Sequence, residues 1–369
     1  MAHSGTLQRI VRLTPLGDVL PMIDALAKPV AAEQMALSEA LGRVLAEDVA
    51  GPAMLPPKAI AIRDGWAVAS ADILDASATA PVPLPKRPAW LETGDMLPPG
   101  ADAVAPIDAI AWQGSSAEAI ASLAPGDGVL PACGDASAGT VLRSAGSRLR
   151  GSDLAVLAAA EIDRVSVRVP RVSLVRMAEP SPIIDAALRF IAAAIAASGG
   201  TVNEPLEAAA DCDEGTDAII TIGGTGPGRR DTNVHALARN GRLAVHGIAI
   251  SPGETAALGE VGGGPLLLIP GRIDSAIAVW LLLGQPLLQR LSGCYEAAAG
   301  YEAVLSRKAT SSLGLAEVVP VRRTGDAVEP LASGYLSLTA LANADGWILV
   351  PPESEGWPAG HRVMVRPLP

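Results

Sequence analysis

Residues 217–231 read DAIITIGGTGPGRRD. The apolar run Ala218–Ile222 has the length and the β-branched content of a buried strand. Four glycines follow within residues 223–228, and Asp231 stands where a helix is expected to begin. A buried strand, a glycine-rich turn and a helix in succession indicate one unit of a parallel α/β sheet.

The segments around this stretch repeat the alternation. A strand at Val172–Val175 precedes a helix at Pro182–Ser198, and a strand at Leu266–Ile269 precedes a helix from Asp274. A further strand is predicted at Leu243–Ile250. Ligands bind outside the carboxyl ends of the strands in such sheets, which selects four loops: 176–182, 223–231, 251–255 and 270–275.

The glycine loop at 223–231 has two interpretations. Glycine lets backbone N–H groups approach an anion, the next helix adds its positive end, and Arg229, Arg230 and Arg272 add charge, so the loop would bind a phosphate. Glycine-rich turns after strands are also common without any ligand. GGTGPG is neither the GxGxxG fingerprint nor a Walker A loop, and the pattern alone leaves both interpretations open.

The remaining sequence does not continue the alternation of strands and helices. Residues 14–49 are predicted to be helical, because Thr14–Pro15 is a helix-start signal and apolar residues then recur at helical spacing. Residues 50–145 contain short apolar runs broken by Pro and Gly, which indicates a small β-rich domain. A helix is predicted at 152–160, and residues 300–369 are β-rich again.

Composition limits the class of protein. The net charge of −11 argues against general binding to nucleic acid or to an anionic membrane, although a few local arginines still attract a small anion. Cys133, Cys212 and Cys294 have no CxxC spacing and predict a reduced, cytoplasmic chain. The start has no signal-peptide core, and no apolar run approaches the ~18 residues that span a bilayer.

The acidic residues are the more informative polar set, since GxSxG and HExxH motifs are absent and the histidines and cysteines are interpreted as structural. Asp64 lies in IAIRDGWAV, Asp135 in PACGDAS and Asp231 at a helix start. A turn role explains Asp64 and an N-cap role explains Asp231. Collected in one cleft, the same carboxylates would hold Mg²⁺.

The order of several motifs resembles that of one enzyme family. Before the glycine loop come ALGRVLAEDV (40–49), RDGWAV (63–68), LETGDMLPPGADAV (91–104) and AGSRLRGSDLAVLAAAEIDRVSV (145–167). After it come SPG, IPGR and SGYLSLTALANADGWILVPP (333–352). In this succession nearly the whole chain resembles the molybdopterin molybdenumtransferases, the MoeA family that includes the gephyrin E domain.

The resemblance implies a multi-domain α/β fold in four parts and an elongated homodimer. A helical linker and dimer segment is implied at 14–53 plus 145–168, and a β-rich domain at 54–144. A parallel, MogA/MoaB-like α/β domain that binds molybdopterin is implied at 170–293, and a small C-terminal β-barrel at 300–369.

The reaction implied by the resemblance inserts molybdate into adenylylated molybdopterin and releases AMP, which leaves molybdenum on the pterin dithiolene. Mg²⁺ is the implied cofactor, and molybdate and molybdopterin are the implied substrates. The implied partners are a second copy of the chain and a molybdoenzyme or another protein of the cofactor pathway.

The resemblance also implies site residues, position by position. Asp64, Thr93, Asp135 and Asp231 keep polar positions of the family and form the implied catalytic set. The implied metal ligands are Asp64, Glu179 and Asp231. Three loops supply the implied substrate-binding residues, which are Gly223, Gly224, Thr225, Gly228, Arg229, Gly253, Gly271, Arg272 and Ser275.

Other family positions are changed. The family's TGDEL reads RMAEPS at 176–181, and the stretch HGIAISPGET at 246–255 lacks the family's lysines. The other replacements fall at Ala61, Arg63, Ala187, Gly226, Arg229 and Arg272–Ile273. A lost charge-assisted hydrogen bond costs about 1.5–3 kcal/mol, for which Arg229, Arg230 and Arg272 would compensate.

Three functions therefore stay open at this point. The retained polar set favours an active transferase. The changed motifs favour a non-catalytic paralogue that binds or carries molybdopterin or the finished cofactor. A third alternative is an interaction protein that keeps only the dimeric scaffold.

Overall fold

The computed structural model describes residues 8–203, 206, 215–228, 231–296 and 300–369. Cys212, Arg229 and Arg230 lie outside the described residues. The chain divides into a larger unit, formed by Met1–Glu47, Ala145–Leu154 and Arg164–Pro369, and a smaller unit, formed by Asp48–Ser144 and Ala155–Asp163.

The helices and strands follow in chain order. The first part of the chain contains β1 (Thr14–Pro15), α1 (Leu16–Leu26), β2 (Ala32–Ala36), β3 (Val44–Leu45), β4 (Val49–Ala50), β5 (Ile60–Ala61), β6 (Gly65–Val68), β7 (Val82–Pro83), β8 (Ala89–Leu91), β9 (Ala103–Ala105), β10 (Ile110–Gln113), β11 (Ser116–Ala119), β12 (Val129–Leu130), β13 (Val141–Arg143), α2 (Gly151–Ala159) and β14 (Arg164–Arg168). The central part contains β15 (Arg171–Arg176), α3 (Pro182–Ala197), β16 (Thr201–Val202), β17 (Ala218–Ile222), α4 (Asn233–Asn240), β18 (Arg242–His246), β19 (Ile248–Ser251), β20 (Ala257–Val261), β21 (Gly264–Ile269), α5 (Ile273–Val279), a π-helical stretch (Trp280–Gly284) and α6 (Gln285–Ser292). The last part contains β22 (Tyr301–Leu305), β23 (Ala309–Thr310), β24 (Ala316–Thr324), β25 (Ala327–Pro330), α7 (Leu338–Ala342), β26 (Gly346–Val350), β27 (Gly356–Trp357) and β28 (Arg362–Pro367).

A six-stranded sheet lies at the centre of the larger unit, in the order β16-β15-β17-β21-β20-β18. Strands β16, β15, β17 and β21 are parallel, whereas β20 and β18 are antiparallel to their neighbours. Helix α3 begins at Pro182 with Ser181 as its N-cap, and its apolar stripe is buried in the core. The predicted parallel α/β architecture is therefore confirmed.

The C-terminal part of the larger unit forms a closed five-stranded barrel. A seven-stranded sheet runs β1-β19-β24-β25-β22-β28-β26, and β26 pairs with β24 to close the last five strands. Buried aliphatic side chains fill the barrel, among them Leu305, Val321, Val350 and Val365. The predicted small β-barrel and the multi-domain α/β fold class are confirmed, while the four domain boundaries stay a prediction.

The predicted helix over 14–49 is wrong beyond Leu26. Helix α1 covers only Leu16–Leu26, and Ala27 after it is extended. Lys28 precedes Pro29, and helical geometry is disfavoured at a residue that precedes proline. The chain then forms β2, which pairs with β14, so sheet pairing outweighs the local helical spacing.

The predicted strand at 243–250 is two strands in two different sheets. Strand β18 is the antiparallel edge of the six-stranded sheet, whereas β19 pairs with β1 and β24. The chain breaks between them at Gly247, whose φ of +89° favours glycine. A Cβ there would lie 2.4 Å from Cγ2 of Ile10.

The smaller unit contains four small sheets: β10-β11-β7, β8-β6-β9, β12-β5 and β13-β4. Strand β6 lies in the middle of its sheet and pairs with β8 and β9. Ile73, Ala103, Ala105 and Ile110 belong to its buried core. The β-rich texture predicted for this part of the chain is confirmed.

A search of the described residues found no helix that combines the length and the apolar character needed to cross a membrane.

Gly65 tests the packing of the smaller unit. A Cβ at Gly65 would lie 2.2 Å from the backbone oxygen of Ala105 on the neighbouring strand, so we expect Gly65→Ala to lower the free energy of unfolding by about 1–3 kcal/mol. Gly17→Ala, which introduces a Cβ into open space on α1, is the control and should leave stability equal or slightly higher. Denaturant unfolding measures both, and equal effects would contradict the strand arrangement.

Candidate functional site

The loops after β17 and β21 meet at one edge of the six-stranded sheet. The N–H of Gly223 donates to the backbone oxygen of Ile269 at 2.8 Å. A Cβ added to Gly271 would lie 3.5 Å from Cα of Gly223 and 2.7 Å from Cδ1 of Ile184. The two loops are therefore in contact, and Gly271 fits against Ile184 of helix α3 because it lacks a side chain.

The loop 251–255 reaches the same edge by a different route. Strand β19 belongs to the other sheet, but the loop leads into β20, which starts opposite the carboxyl end of β21. Gly253 has a φ of +118°, and a Cβ there would lie 3.5 Å from the backbone oxygen of Ser275. The hydroxyls of Thr225 and Thr255 are 3.0 Å apart. The loop 176–182 lies at the same edge, since a Cβ on Gly223 would lie 2.5 Å from Cβ of Ala178, so all four predicted loops are brought together.

Two side chains hold carbonyl groups of the glycine loop from its inner side. The buried Asn233 donates through Nδ2 to the oxygen of Gly223 at 2.8 Å. Nε2 of His246 lies 3.1 Å from the oxygen of Thr225. Because a carbonyl oxygen only accepts, the Nε2 of His246 carries the proton in this contact. Thr225 is itself buried, so its side chain stabilises the loop rather than faces a ligand.

Gln8 is buried behind the loop, with 2% of its surface exposed, and its side chain forms four hydrogen bonds there. Its Nε2 donates to the oxygens of Gly224 at 3.2 Å and Gly226 at 2.9 Å. Its Oε1 accepts from the N–H groups of Val234 at 2.8 Å and His235 at 3.2 Å. One buried amide therefore joins the loop to the first turn of α4.

Asp231 does not cap helix α4, which corrects the N-cap interpretation. The helix begins at Asn233, and Thr232 precedes it without a side-chain capping bond. Oδ2 of Asp231 instead accepts from the N–H of Gly228 at 3.1 Å. This bond closes the loop on itself, so the Gly228 amide is already paired.

Arg272, in the loop after β21, forms an ion pair with Asp274. Its guanidinium donates to both oxygens of Asp274, at 3.1 and 2.6 Å, and lies 5.1 Å from the ring centre of Tyr335. The hydrogen bonds to Asp274 raise the pKa of Arg272, and Glu254 adds to the shift. Asp274 is buried and also accepts from the N–H of Ser275 at 2.8 Å. Asp274 therefore largely balances the positive charge of Arg272.

Asp64 and Thr93 form a contact within the smaller unit, at the end of the β6–β8 pair. Oδ1 of Asp64 accepts from the backbone N–H of Thr93 at 2.7 Å and from its hydroxyl at 2.9 Å. The backbone bond, followed by the hydroxyl bond, lowers the pKa of Asp64. Asp64 is therefore an ionised, exposed carboxylate at neutral pH with one oxygen still available.

Asp135 lies in another exposed loop of the smaller unit. Its N–H donates to the oxygen of Leu55 at 2.9 Å, and its carboxylate accepts no hydrogen bond from any residue that the structure describes. Arg63, which replaces a methionine of the family motif, bonds the oxygen of Val104 and pairs with Asp127 at 3.0 Å. Arg63 therefore stabilises the fold beside Asp64 and is no substitute for a missing substrate ligand.

The implied metal ligands stay a prediction, and the part of the chain that the structure describes shows no preformed metal site. No three His, Cys, Asp or Glu side chains there are close enough to hold an ion. Glu179 is exposed in the loop after β15, and Asp231 is bonded to Gly228.

Comparison with known proteins identifies the family. The MoeA N-terminal region (domain I and II) matches residues 14–160, a probable molybdopterin binding domain matches 180–290, and the MoeA C-terminal region (domain IV) matches 302–368. The chain belongs to the MoeA family.

Relatives within the MoeA family are distant but cover most of the chain. A putative molybdopterin biosynthesis protein of Methanocaldococcus jannaschii is 25% identical, over 90% of this chain and 91% of its own length. Molybdopterin molybdenumtransferase 2 of Mycobacterium tuberculosis is 26% identical, over 89% and 93%. The solved MoeA protein of Pyrococcus horikosii is 26% identical, with a TM-score of 0.73 over 97% of this chain and all of its own.

Several residues of this MoeA site were missed by sequence reasoning. Gln8 lies outside every predicted element, and nothing local indicates that it binds a loop 216 residues away. His246 was covered only by the interpretation of the histidines as structural, and Asn233 was not singled out. Asp274 follows Arg272 by two residues, a spacing that does not bring side chains together on a helix, so the sequence did not indicate this pair.

His246 predicts a pH dependence of stability. Burial, opposed in part by the contact with Thr225, lowers the pKa of His246. The unfolded chain therefore takes up this proton first, so the free energy of unfolding should fall as the pH decreases below the ~6.5 of an ordinary histidine. Denaturant unfolding between pH 7 and 5 measures the slope.

We expect His246→Gln, whose amide can still donate to Thr225, to flatten this slope. The exposed His361 supplies the control, since His361→Gln should leave the slope unchanged. An unaltered slope in His246→Gln would show that another group is responsible.

Proposed function

We propose that this chain inserts molybdate into adenylylated molybdopterin and releases AMP, as a molybdopterin molybdenumtransferase of molybdenum-cofactor biosynthesis. Relatives with that name match most of the chain. The observation that carries the proposal is the meeting of the 223–228, 251–255 and 270–275 loops at the carboxyl edge of a parallel sheet. Ligands bind at this edge in α/β sheets.

The chemistry of the loop edge fits a phosphorylated substrate. Glycine backbones leave room for close approach, and amide dipoles attract an anion without a full charge. Arg272 remains 63% exposed although it is paired with Asp274, so its outer N–H groups are accessible. The loop edge would therefore bind the phosphates mainly through amides, with Arg272 as a secondary ligand.

Asp64 and Thr93 supply the proposed catalytic carboxylate of the smaller unit. Because its pKa is lowered, Asp64 stays ionised at neutral pH and acts as an acceptor that orients water or a substrate hydroxyl. Thr93 fixes the carboxylate through two bonds. Asp135 and Asp231 complete the proposed set, and we place the active protein in the cytoplasm as a homodimer.

Mg²⁺ and the implied ligand set do not fit a protein-built site in this chain. The described residues offer no group of three acidic or histidine ligands. Mg²⁺ is usually held by one or two carboxylates together with substrate phosphates. No step is therefore assigned to the ion here.

A carrier of molybdopterin or finished cofactor is the second candidate function. The Arg272–Asp274 pair and the nearby Glu254 favour it, because they leave little net positive charge for a polyanionic substrate among the described residues of these loops. A carrier binds the pterin without turnover. Delivery would then go to a molybdoenzyme or another protein of the pathway.

Release of AMP distinguishes the two functions. The full-length protein is incubated with adenylylated molybdopterin, molybdate and Mg²⁺, and AMP is quantified by chromatography. The transferase releases AMP, and Asp64→Asn should slow the release about a hundredfold, the loss expected for one positioned catalytic group.

Asp75→Asn is the control, because it makes the same substitution at another exposed aspartate of the smaller unit, and it should retain the wild-type rate of AMP release. Pterin binding without AMP release would establish the carrier. A rate that Asp64→Asn leaves intact would exclude the proposed role of Asp64.

A further inference from the structure

Three consecutive peptide groups of the glycine loop have their carbonyls fixed by side chains from elsewhere in the fold. Asn233 donates to the oxygen of Gly223, Gln8 to that of Gly224 and His246 to that of Thr225. The three donors come from helix α4, the segment before β1 and the end of β18, so no single element sets the loop's shape.

The orientation of these carbonyls determines where the amides point. The cis peptide bonds in the structure are Leu55–Pro56 and Ser251–Pro252, so the peptides of the glycine loop are trans. In a trans peptide the N–H points opposite to the C=O. The N–H groups of Gly224, Thr225 and Gly226 consequently point away from the three donors, and none of them bonds another described residue.

Gln8 also decides which amides are available to a ligand. Its Oε1 is bonded to the N–H groups of Val234 and His235, which would otherwise form the anion-attracting start of α4. The helix terminus is thereby occupied, and the loop amides remain the donors at this position. This division of donors does not follow from the glycine pattern alone.

We infer that Gln8, Asn233 and His246 are positioning residues that orient the Gly224–Gly226 amides toward a phosphate group of the pterin substrate. The inference rests on the proposed function for the identity of the ligand. Its physical basis is preorganisation: fixed dipoles bind a developing or resident anion without the cost of reorienting at the moment of binding. None of the three side chains needs to touch the substrate.

Two substitutions of Gln8 separate this role from a merely structural one. Gln8→Glu keeps the acceptor for Val234 and His235 but loses the donor to the loop carbonyls. Gln8→Met, which is apolar and of similar length, loses both. If Gln8 only capped α4, the Glu variant would behave like wild type. Under the positioning role, both variants bind molybdopterin about tenfold more weakly or worse.

The measurement is equilibrium binding of molybdopterin to the full-length protein, with the melting temperature of each variant recorded in parallel. Gln34→Glu, the same change at an exposed glutamine of the same unit, is the control and should bind as wild type. Should the Glu variant melt early, Gln8→Met supplies the comparison without a buried charge. Wild-type affinity in folded Gln8→Glu or Gln8→Met overturns the inference.

A second readout keeps the inference separate from the proposed function. Inorganic phosphate is titrated into the isotope-labelled protein, and the amide resonances of Gly224, Thr225 and Gly226 are followed. Phosphate-dependent shifts in wild type that are lost in the Gln8 variants support the positioning role even if no pterin binds. Pterin binding by wild type with unchanged amide responses in the variants supports the proposed function and rejects the inference.

Discussion

The lack of a side chain at Gly223 and Gly271 is the constraint on which the candidate site depends. A Cβ at Gly223 would lie 2.5 Å from Cβ of Ala178, and one at Gly271 would lie 2.7 Å from Ile184. A side chain at Gly223 would push its loop away from the loop after β15, and one at Gly271 would push its loop away from helix α3. Because Thr225 and Ser275 join the third loop to these two, the whole edge would widen with them.

Among the residues that the structure describes at this edge, the electrostatics come mainly from the backbone. The chain carries a net charge of −11. Arg272, which the structure describes in the loop after β21, is paired with a buried aspartate. A site built on amides depends less on net charge than a lysine-rich one, because each dipole acts at short range and is fixed in direction. The replacement of lysines in this chain is consistent with binding that relies on geometry.

Much of the fold could be read from the sequence because its signals are local. Strand β17 and helix α3 were predicted almost to the residue, since a β-branched run and an amphipathic stripe with a proline start are strong patterns. The segment 243–250 was not predicted correctly, because Gly247, with its positive φ, redirects the chain into another sheet. Asp64 and Thr93 were singled out by the family resemblance, whereas the role of Gln8 depends on tertiary contacts that have no periodic signature.

The position of Gln8 has a consequence for how the protein matures. Its loop partners lie 216 and 218 residues further along the chain, so ribosomal synthesis exposes the N-terminal segment long before those partners exist. Contacts of such high sequence separation form late, after the local elements that they join. The loop that Gln8 contacts therefore acquires its final shape only after the segment around Gln8 has packed against the central part of the chain, which couples the completion of folding to the geometry of the candidate site.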